Sequence, residues 1–214
     1  MREDVLKTNK VFQKYFSIQK ILPILTIEEL DSCQYLIDVF LKNDIKIFEI
    51  TLRTKVALEA INLMAKNKNF IVGAGTLTTE KNVISAINVG AIFGVSPGIS
   101  DDLFKECEKN NFPLIPGVSS PSEIMVAYNR GYKFLKFFPS EILGGVNMLK
   151  ALQGPFPDCY FFPTGGISQD NADNYLNLSN VLGVAGSWLA PINLIKKRDW
   201  KKINEIIKNS SLKK

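Results

Sequence analysis

The chain has no histidine among its 214 residues, and this absence limits the chemistry that its side chains can perform. Histidine is the usual general base near neutral pH and the most common metal ligand. Ser-His-Asp triads, Cys-His pairs and histidine-bound zinc are therefore excluded. Nucleophilic and proton-transfer chemistry can also come from lysine and carboxylate side chains, so the positions of those residues decide what remains.

Lys136 is a candidate nucleophile because strand periodicity places it among aromatic side chains. In the run from Phe134 to Phe138 alternate residues share a face, so Lys136 lies with these two rings. If Leu135 and Phe137 meet outer helices, Lys136 points into the interior. Burial favours the neutral form of an amine, which can form a Schiff base with a ketone. The alternative is a lysine that extends out to water.

Glu49 and Arg53 place an acid and a guanidinium on one face of a second predicted strand. With Thr51 they alternate with apolar residues along the run from Phe48 to Arg53. A carboxylate near a Schiff-base lysine can shuttle protons, and a guanidinium can hold a substrate carboxylate through two hydrogen bonds. A purely structural Glu49–Arg53 ion pair is the alternative.

Two glycine-containing turns are candidates for binding an anion through backbone N–H groups. They are Thr164-Gly165-Gly166 and Gly186-Ser187, and each follows a predicted strand. Glycine lets an anion approach the backbone closely, although a single Gly-Gly pair is also typical of an ordinary tight turn. The run Gly73-Ala74-Gly75-Thr76 lacks the third glycine and the acidic partner of a dinucleotide fingerprint, so we exclude that function.

The composition is that of a globular protein, with 46% hydrophobic and 22% charged residues. The net charge of +5 is too small to indicate nucleic-acid binding by itself. We expect the basic C-terminal segment to be the solvated face and end of a terminal helix. It contains Lys196-Lys197-Arg198, Lys201-Lys202 and Lys213-Lys214.

The cysteines and the N-terminus favour a cytoplasmic protein. Cys33, Cys107 and Cys159 are widely spaced and form no CxxC pair, so we expect reduced and mostly buried thiols. The N-terminus lacks the apolar core of a signal peptide. The most apolar late stretch, residues 181–195, is too short and too interrupted to span a bilayer. We therefore expect no transmembrane segment.

Short β-branched and aromatic runs alternate with longer segments of helical period along the chain. We expect eight strands, at residues 20–25, 46–50, 70–74, 91–95, 112–115, 133–137, 160–162 and 181–185. Helices are expected between them at residues 28–41, 56–65, 80–88, 101–109, 121–129 and 171–178, with a leading helix at residues 4–16. Ser100 and Ser168 are typical of helix starts.

This alternation predicts an α/β fold, a small (β/α)8 TIM barrel formed by a single domain of residues 1–214 with an extra N-terminal helix. A doubly wound open sheet is the alternative. The barrel is favoured because the unusual residues lie at carboxyl ends of strands, which in a barrel share one rim where active sites are built. These residues are Glu49, Gly75-Thr76, Ser96-Pro97-Gly98, Pro116-Gly117, Lys136, Pro163-Thr164-Gly165-Gly166 and Gly186-Ser187.

Six short segments occur in a fixed order between about residues 20 and 191. They are Phe48-Glu49-Ile50-Thr51-Leu52-Arg53-Thr54, Gly73-Ala74-Gly75-Thr76, Ser96-Pro97-Gly98, Lys136-Phe137-Phe138-Pro139, Pro163-Thr164-Gly165-Gly166-Ile167 and Gly186-Ser187-Trp188-Leu189. Together they resemble the family of 2-keto-3-deoxy-6-phosphogluconate (KDPG) aldolases and 4-hydroxy-2-oxoglutarate aldolases. The resemblance implies a homotrimeric class I aldolase with a (β/α)8 fold.

The resemblance also implies a role for each matching residue. Lys136 would be the Schiff-base lysine and Glu49 the acid/base residue. Arg53 and Thr76 would hold the pyruvyl carboxylate. Pro97 and Phe138 would shape the pocket, and the distal phosphate would be bound by the two glycine turns, at Thr164, Gly165, Gly166, Gly186 and Ser187.

The implied reaction is reversible cleavage of a phosphorylated 2-keto-3-deoxy sugar acid to pyruvate and glyceraldehyde 3-phosphate, with no metal or cofactor. Thr26 stands where some members carry arginine, and Ala185 replaces the first glycine of a Gly-Gly-Ser run. Both departures concern the distal end of the substrate and not the lysine chemistry. Two alternatives remain: cleavage of 4-hydroxy-2-oxoglutarate to pyruvate and glyoxylate, and a catalytically silent phosphate-binding barrel.

Overall fold

The computed structural model describes residues 3–210, apart from the side chains of residues 3, 4 and 6–8. The strands in this range are β1 Ile21–Leu25, β2 Ile47–Thr51, β3 Ile71–Gly75, β4 Phe93–Val95, β5 Leu114–Ile115, β6 Gly117–Val118, β7 Phe134–Phe137, β8 Tyr160–Pro163 and β9 Val184–Gly186. The helices are α1 Glu3–Ile18, α2 Ser32–Lys42, α3 Ala57–Ala65, α4 Glu80–Asn88, α5 Asp101–Lys109, α6 Pro121–Asn129, α7 Gly145–Gln153, α8 Ala172–Leu176, α9 Ile192–Lys196 and α10 Trp200–Asn209. A 3-10 helix, Glu141–Leu143, lies between β7 and α7.

The paired strands run parallel, as crossover helices require. Six strands form one sheet in the order β5-β4-β3-β2-β1-β9, and three form a second in the order β6-β7-β8. Two isolated bridges, Phe161–Val181 and Thr164–Ala185, connect β8 to the β9 segment. The predicted α/β fold is confirmed, with a parallel sheet that curls.

The strand predicted at residues 112–115 is shorter in the structure, as β5, and a second short strand that was not predicted, β6, follows Pro116. β5 pairs with β4, whereas β6 pairs with β7. Proline has no N–H to donate to a neighbouring strand, so the ladder is interrupted there. The carbonyl of Pro116 accepts the N–H of Lys136 at 2.9 Å, which ties the interruption to β7.

Helix α1 packs against the amino-terminal ends of the strands. Phe12 and Phe16 lie four residues apart on one face and belong to the interior apolar cluster. The Phe12 ring lies 5.9 Å from the ring of Phe93, the first residue of β4, and 6.2 Å from that of Phe134, the first residue of β7. The centre of the Phe16 ring lies 4.0 Å from the centre of the Phe162 ring. The helix therefore closes this end of the curled sheet.

The two faces of β7 pack as the alternation predicts. Leu135 and Phe137 belong to the large outer cluster, together with Leu149 of α7. Phe134 belongs to the interior cluster that contains the α1 rings. Lys136 therefore faces the interior.

Three helices have their predicted bounds because a side chain caps the first turn of each. Thr79 and Ser120 form capping boxes at α4 and α6, and Ser100 accepts the N–H of Leu103 at α5. The helix predicted from residue 28 begins only at Ser32.

The helices beyond β7 differ more from the sequence-based prediction. The expectation that Ser168 begins a helix is wrong, since α8 begins at Ala172, and Asn171 Oδ1 accepts the N–H of Ser168. Helix α7 was not predicted, because Gly144 and Gly145 at its start are typical of a turn and both have positive φ.

The basic C-terminal segment is exposed, but some of its side chains form ion pairs with acidic residues. The expectation of a solvated face did not include these ion pairs. Lys196 pairs with Glu28 at 2.9 Å, and Arg198 pairs with Glu29 at 3.3 Å and with Asp31. Lys213 and Lys214 lie outside the described residues.

The three cysteines are free and buried, as predicted. Burial raises the pKa of Cys33 and Cys159 to about 11 and that of Cys107 to about 12, so these thiols are poor nucleophiles. Among the described residues, no helix is both long enough and apolar enough to cross a membrane.

Candidate active site

Lys136 lies within β7 and is 5% exposed. Its neighbour on β6 is Gly117, and its Nζ is 5.0 Å from the centre of the Phe138 ring. Burial lowers the pKa of Lys136; the Glu49 carboxylate opposes this shift and the Arg53 guanidinium adds to it. A lysine that extends into water is thus not observed, and the neutral amine needed for attack on a ketone is accessible.

Glu49 lies within β2 and is 1% exposed. Burial raises the pKa of Glu49, while Lys136 and Arg53 lower it. Its carboxyl lies over the backbone of β3, since a Cβ on Gly75 would be 2.8 Å from Oε1. The other oxygen, Oε2, is buried without a hydrogen-bond partner among the described residues, so it can take up or release a proton.

Arg53 follows β2 and is held by Thr76 at the adjacent strand end. Its Nε donates to Thr76 Oγ1 at 3.1 Å, and Thr76 has a φ of 64°. The ion pairs of the described residues do not include one between Arg53 and Glu49, so the structural ion pair considered above is not formed. The guanidinium can therefore bind an external carboxylate.

A cavity of about 410 Å³ opens at the carboxyl ends of the strands and brings most of the predicted site residues together. Arg53, Lys136 and Phe138 line it. The two glycine turns line it as well, through Thr164, Gly165, Gly166, Gly186 and Ser187. Glu49, Thr76 and Pro97 are not among its lining residues.

The glycine turns have backbones that other residues cannot easily adopt. Gly165 and Gly166 have φ values of 93° and 81°. Gly186 packs directly against an indole, since a Cβ there would lie 2.0 Å from an atom of the Trp188 ring. Thr164 Oγ1 donates to the carbonyl of Phe162 at 3.2 Å, which leaves its lone pairs for a ligand.

Pro97 lies beside the strand that neighbours Lys136. Ser96 Oγ donates to the carbonyl of Gly98 at 2.7 Å and accepts the N–H of Gly117 at 3.2 Å. A Cβ on Gly117 would be only 2.4 Å from the backbone of Pro97. This contact fixes the Ser96-Pro97-Gly98 turn against β6.

Sequence reasoning missed four apolar residues that line the cavity, namely Ile24, Ile167, Ala190 and Ile192, and noted Thr26 only as a departure from the family. The Thr26 hydroxyl is 3.1 Å from that of Thr51, which donates to the carbonyl of Leu25 at 3.1 Å. Thr26 directly follows β1, at the rim where the other candidates lie, and this position indicates a site residue. The apolar residues carry no signal of this kind.

A lysine that can react as a free amine, electrostatically coupled to a carboxyl that can exchange protons, is what a class I aldolase needs, and aldolases are lyases. Sequence comparison leads to the same class. The chain belongs to the KDPG and KHG aldolase family, whose sequence profile matches residues 13–206.

Two relatives illustrate the extent of this similarity. The chain is 42% identical to a 2-dehydro-3-deoxy-phosphogluconate aldolase of Pseudoalteromonas atlantica, over 92% of this chain and 93% of that protein. It is 37% identical to the KHG/KDPG aldolase of Escherichia coli K12, over 89% and 90% of the two chains.

Solved structures are similar over nearly the whole fold. The KDPG aldolase of Legionella pneumophila, captured with pyruvate as a covalent carbinolamine, has a TM-score of 0.88 and 38% identity, over 93% of this chain and 96% of that one. The enzyme of Zymomonas mobilis ZM4, solved with 3-phosphoglycerate, has a TM-score of 0.88 and 34% identity, over 94% and 96%.

Proposed function

We propose that the protein is a class I aldolase that reversibly cleaves KDPG to pyruvate and glyceraldehyde 3-phosphate. The observation that carries the proposal is the position of Lys136, whose buried amine lines the same cavity as the two glycine turns. Relatives named 2-dehydro-3-deoxy-phosphogluconate aldolase, at 37 to 42% identity, support the same substrate.

The cleavage begins when Lys136 Nζ attacks the C2 ketone, and loss of water from the carbinolamine leaves a protonated imine. Glu49, directly or through a water molecule, takes the proton of the C4 hydroxyl. The C3–C4 bond then breaks: C4 becomes the aldehyde, and the bonding electron pair forms an enamine with the imine nitrogen as electron sink. Glu49 helps to return a proton to C3, and hydrolysis of the imine releases pyruvate and restores the lysine.

The electrostatics of the cavity suit these proton transfers. Burial lowers the pKa of Lys136 and raises that of Glu49, so the difference between the two pKa values is smaller than for free lysine and glutamate side chains. A proton can therefore move at moderate cost between the substrate, the carboxyl and the amine. Retention of both groups also argues against a catalytically silent barrel.

The pyruvyl end of the substrate is assigned to Arg53 and Thr76. The guanidinium lines the cavity and is oriented by its hydrogen bond to Thr76. A planar guanidinium binds a carboxylate through two hydrogen bonds. The Phe138 ring beside Nζ limits the space around the imine, and Pro97 supports the strand behind it.

The distal phosphate is assigned to the two glycine turns. Within residues 3–210 no backbone or side-chain acceptor receives the N–H of Gly165 or Gly166, so both are available to an anion. The exposed Ser187 adds a hydroxyl at the end of β9. Several N–H and O–H donors suit a phosphate, whereas a second carboxylate would favour a second arginine, and the rim residue after β1 is Thr26.

Comparison of two substrates tests this assignment. KDPG should exceed 4-hydroxy-2-oxoglutarate in kcat/KM by roughly 10-fold or more, equivalent to about 1.4 kcal/mol. Ser187→Ala should reduce this preference and leave imine formation with pyruvate nearly unchanged. Equal cleavage of both substrates by the wild type, or an equal loss on both in the variant, would instead support 4-hydroxy-2-oxoglutarate as the substrate.

The closed barrel, the single domain and the oligomeric state are also part of the proposal. We infer a single-domain (β/α)8 barrel of residues 1–214, in which β5 and β6 are one interrupted strand and α1 is the extra helix. The bridges from β8 to β9 support closure of the ring. A cytoplasmic homotrimer that acts in carbohydrate metabolism of the Entner–Doudoroff type, without metal or cofactor, completes the proposal.

Trapping of the imine tests the chemistry directly. Borohydride reduction of the protein with pyruvate should add one lactyl-type adduct at Lys136, located by peptide mass spectrometry. An adduct at another lysine, or no adduct in an active preparation, would contradict the mechanism. Activity that a chelator abolishes and zinc restores would contradict metal independence.

A further inference from the structure

A group of three polar residues, two of them buried and one exposed, contacts the Gly165-Gly166 turn. Ser140, Glu141 and Tyr175, here called the Tyr175 cluster, take no part in the mechanism above. Ser140 and Tyr175 are fully buried. Glu141 and Tyr175 line a second, open cavity of about 330 Å³ that shares no residue with the active-site cavity. The cluster therefore contacts the turn without lining the active-site cavity.

The backbone and side chain of the cluster contact the turn directly. The N–H groups of Ser140 and Glu141 donate to the carbonyls of Thr164 and Gly165, at 2.8 and 3.1 Å. A Cβ on Gly166 would lie 2.4 Å from Glu141 Cγ. The Glu141 side chain thus fills the space into which the turn would move if it retreated from a bound anion.

The Tyr175 hydroxyl holds the Glu141 side chain in this position. It donates to Glu141 Oε1 and accepts a hydrogen bond from Ser140 Oγ at 3.2 Å. Burial, together with the bond to Glu141, raises the pKa of Tyr175 to about 12, so the donor proton is retained. A Cβ on Gly145 would lie 2.7 Å from this hydroxyl, which explains the glycine there.

We infer that Tyr175 and Glu141 are positioning residues for the anion-binding turn. This inference rests on the proposed function, because it assigns the turn to the distal phosphate. Tyr175 belongs to α8, and Asn171 immediately before this helix donates to the carbonyl of Gly166 at 2.9 Å. The turn is therefore held at both its ends, by the segment after β7 and by Asn171 just before α8, while Lys136 lies on β7 itself.

Steady-state kinetics of matched variants tests the inference. Tyr175→Phe removes the hydroxyl that donates to Glu141 and accepts from Ser140. We expect KM for KDPG to rise about 5-fold, the scale of one ordinary intramolecular hydrogen bond, with kcat within about twofold. Glu141→Ala should act in the same direction, and Glu141→Gln, whose amide oxygen still accepts the tyrosine proton, should recover most of the loss. Tyr128→Phe is the control, since its hydroxyl only reaches Asp158 on the surface at 3.5 Å.

Two further measurements separate positioning from general destabilisation. The yield of borohydride trapping with pyruvate should be the same in Tyr175→Phe and the wild type. Calorimetry with 3-phosphoglycerate should show weaker binding to Tyr175→Phe by about the same factor as the KM change. Unchanged KM and binding, or a parallel fall of kcat, trapping yield and melting temperature, would overturn the inference.

The calorimetric result tests the positioning role whether or not the proposed function is correct. If the wild type cleaves neither substrate, the proposed function fails. Weaker binding of 3-phosphoglycerate by Tyr175→Phe would still support the positioning role, and equal binding would overturn it.

Discussion

Lys136 and Glu49 show how one physical cause can prepare two groups for opposite tasks. Burial disfavours any charged form, so it lowers the pKa of the amine and raises that of the carboxyl. The Glu49 carboxylate raises the pKa of Lys136, and the Lys136 ammonium lowers the pKa of Glu49, so each charge partly offsets the effect of burial on the other group. The Arg53 guanidinium lowers the pKa of both groups, which favours the ionised carboxylate and the neutral amine. The reactive state of the pair therefore depends on all three residues.

Glu49→Gln should separate imine formation from turnover. Removing the carboxylate takes away the group that raises the pKa of Lys136, so this pKa should fall further below that of an ordinary lysine, about 10.4. The rate of pyruvate trapping rises with pH as the amine loses its proton, and its midpoint should move to lower pH in the variant. Turnover should slow by about 10²-fold, the scale of a lost proton-transfer group.

Trapping rates and kcat measured across one pH series check this prediction. A midpoint that moves to higher pH would show that Glu49 does not stabilise the charged amine. Wild-type turnover would return Glu49 to a structural role.

Arg53→Lys should weaken binding at the pyruvyl end. A lysine keeps the charge but loses the planar pair of donors and the bond that Nε makes with Thr76. We expect KM for pyruvate in the synthetic direction to rise by about 10-fold, the scale of a charge-assisted hydrogen bond. Arg198→Lys, on an exposed arginine that pairs with Glu29 and Asp31, is the matched control and should leave KM unchanged.

At the scale of elements, α1 is part of the core and not an appendage. Phe12 is fully buried and touches aromatic rings from β4 and β7. Its removal would leave a cavity where three elements meet. The helix therefore contributes to stability at the end of the sheet that lies away from the cavity.

Phe12→Ala should lower the free energy of unfolding by about 3–5 kcal/mol, because both transfer and cavity costs apply. Ile18→Ala, on the same helix but at a residue that is 60% exposed, should change it by less than about 0.5 kcal/mol. Urea denaturation of the two variants gives the comparison. Equal and small effects would show that α1 is not part of the cooperative core.

The sequence predicts those features that depend on local pattern. Alternation along β2 and β7 indicated which way Glu49 and Lys136 face, and capping residues located α4, α5 and α6. The separate strand β6 after Pro116 was not predicted, because the break depends on which strands pair on each side of the proline. The Tyr175–Glu141 contact joins residues 34 apart and has no local signal. Contacts that depend on the tertiary arrangement of the curled sheet, and not on local periodicity, could not be predicted.

At the scale of the whole molecule, we predict that the chain forms a homotrimer. The resemblance to the family of KDPG aldolases implies this state, and exposed apolar side chains, among them Ile142 at 85% and Met125 at 55%, are available for an interface. Light scattering should give three times the chain mass of 23.9 kDa. A monomer at working concentration would remove this prediction.

Phe12 and Phe16 fill the interior at the amino-terminal ends of the strands, and the cavity that Lys136 lines opens at the carboxyl ends, so both products of the proposed reaction would leave through that cavity. In the proposed mechanism the three-carbon acid remains bonded to Lys136 after the C3–C4 bond breaks, and only hydrolysis frees it. Release is therefore ordered, with the phosphorylated aldehyde first. In the synthetic direction the keto acid must enter first, and excess aldehyde should inhibit by occupying the mouth above an unreacted amine.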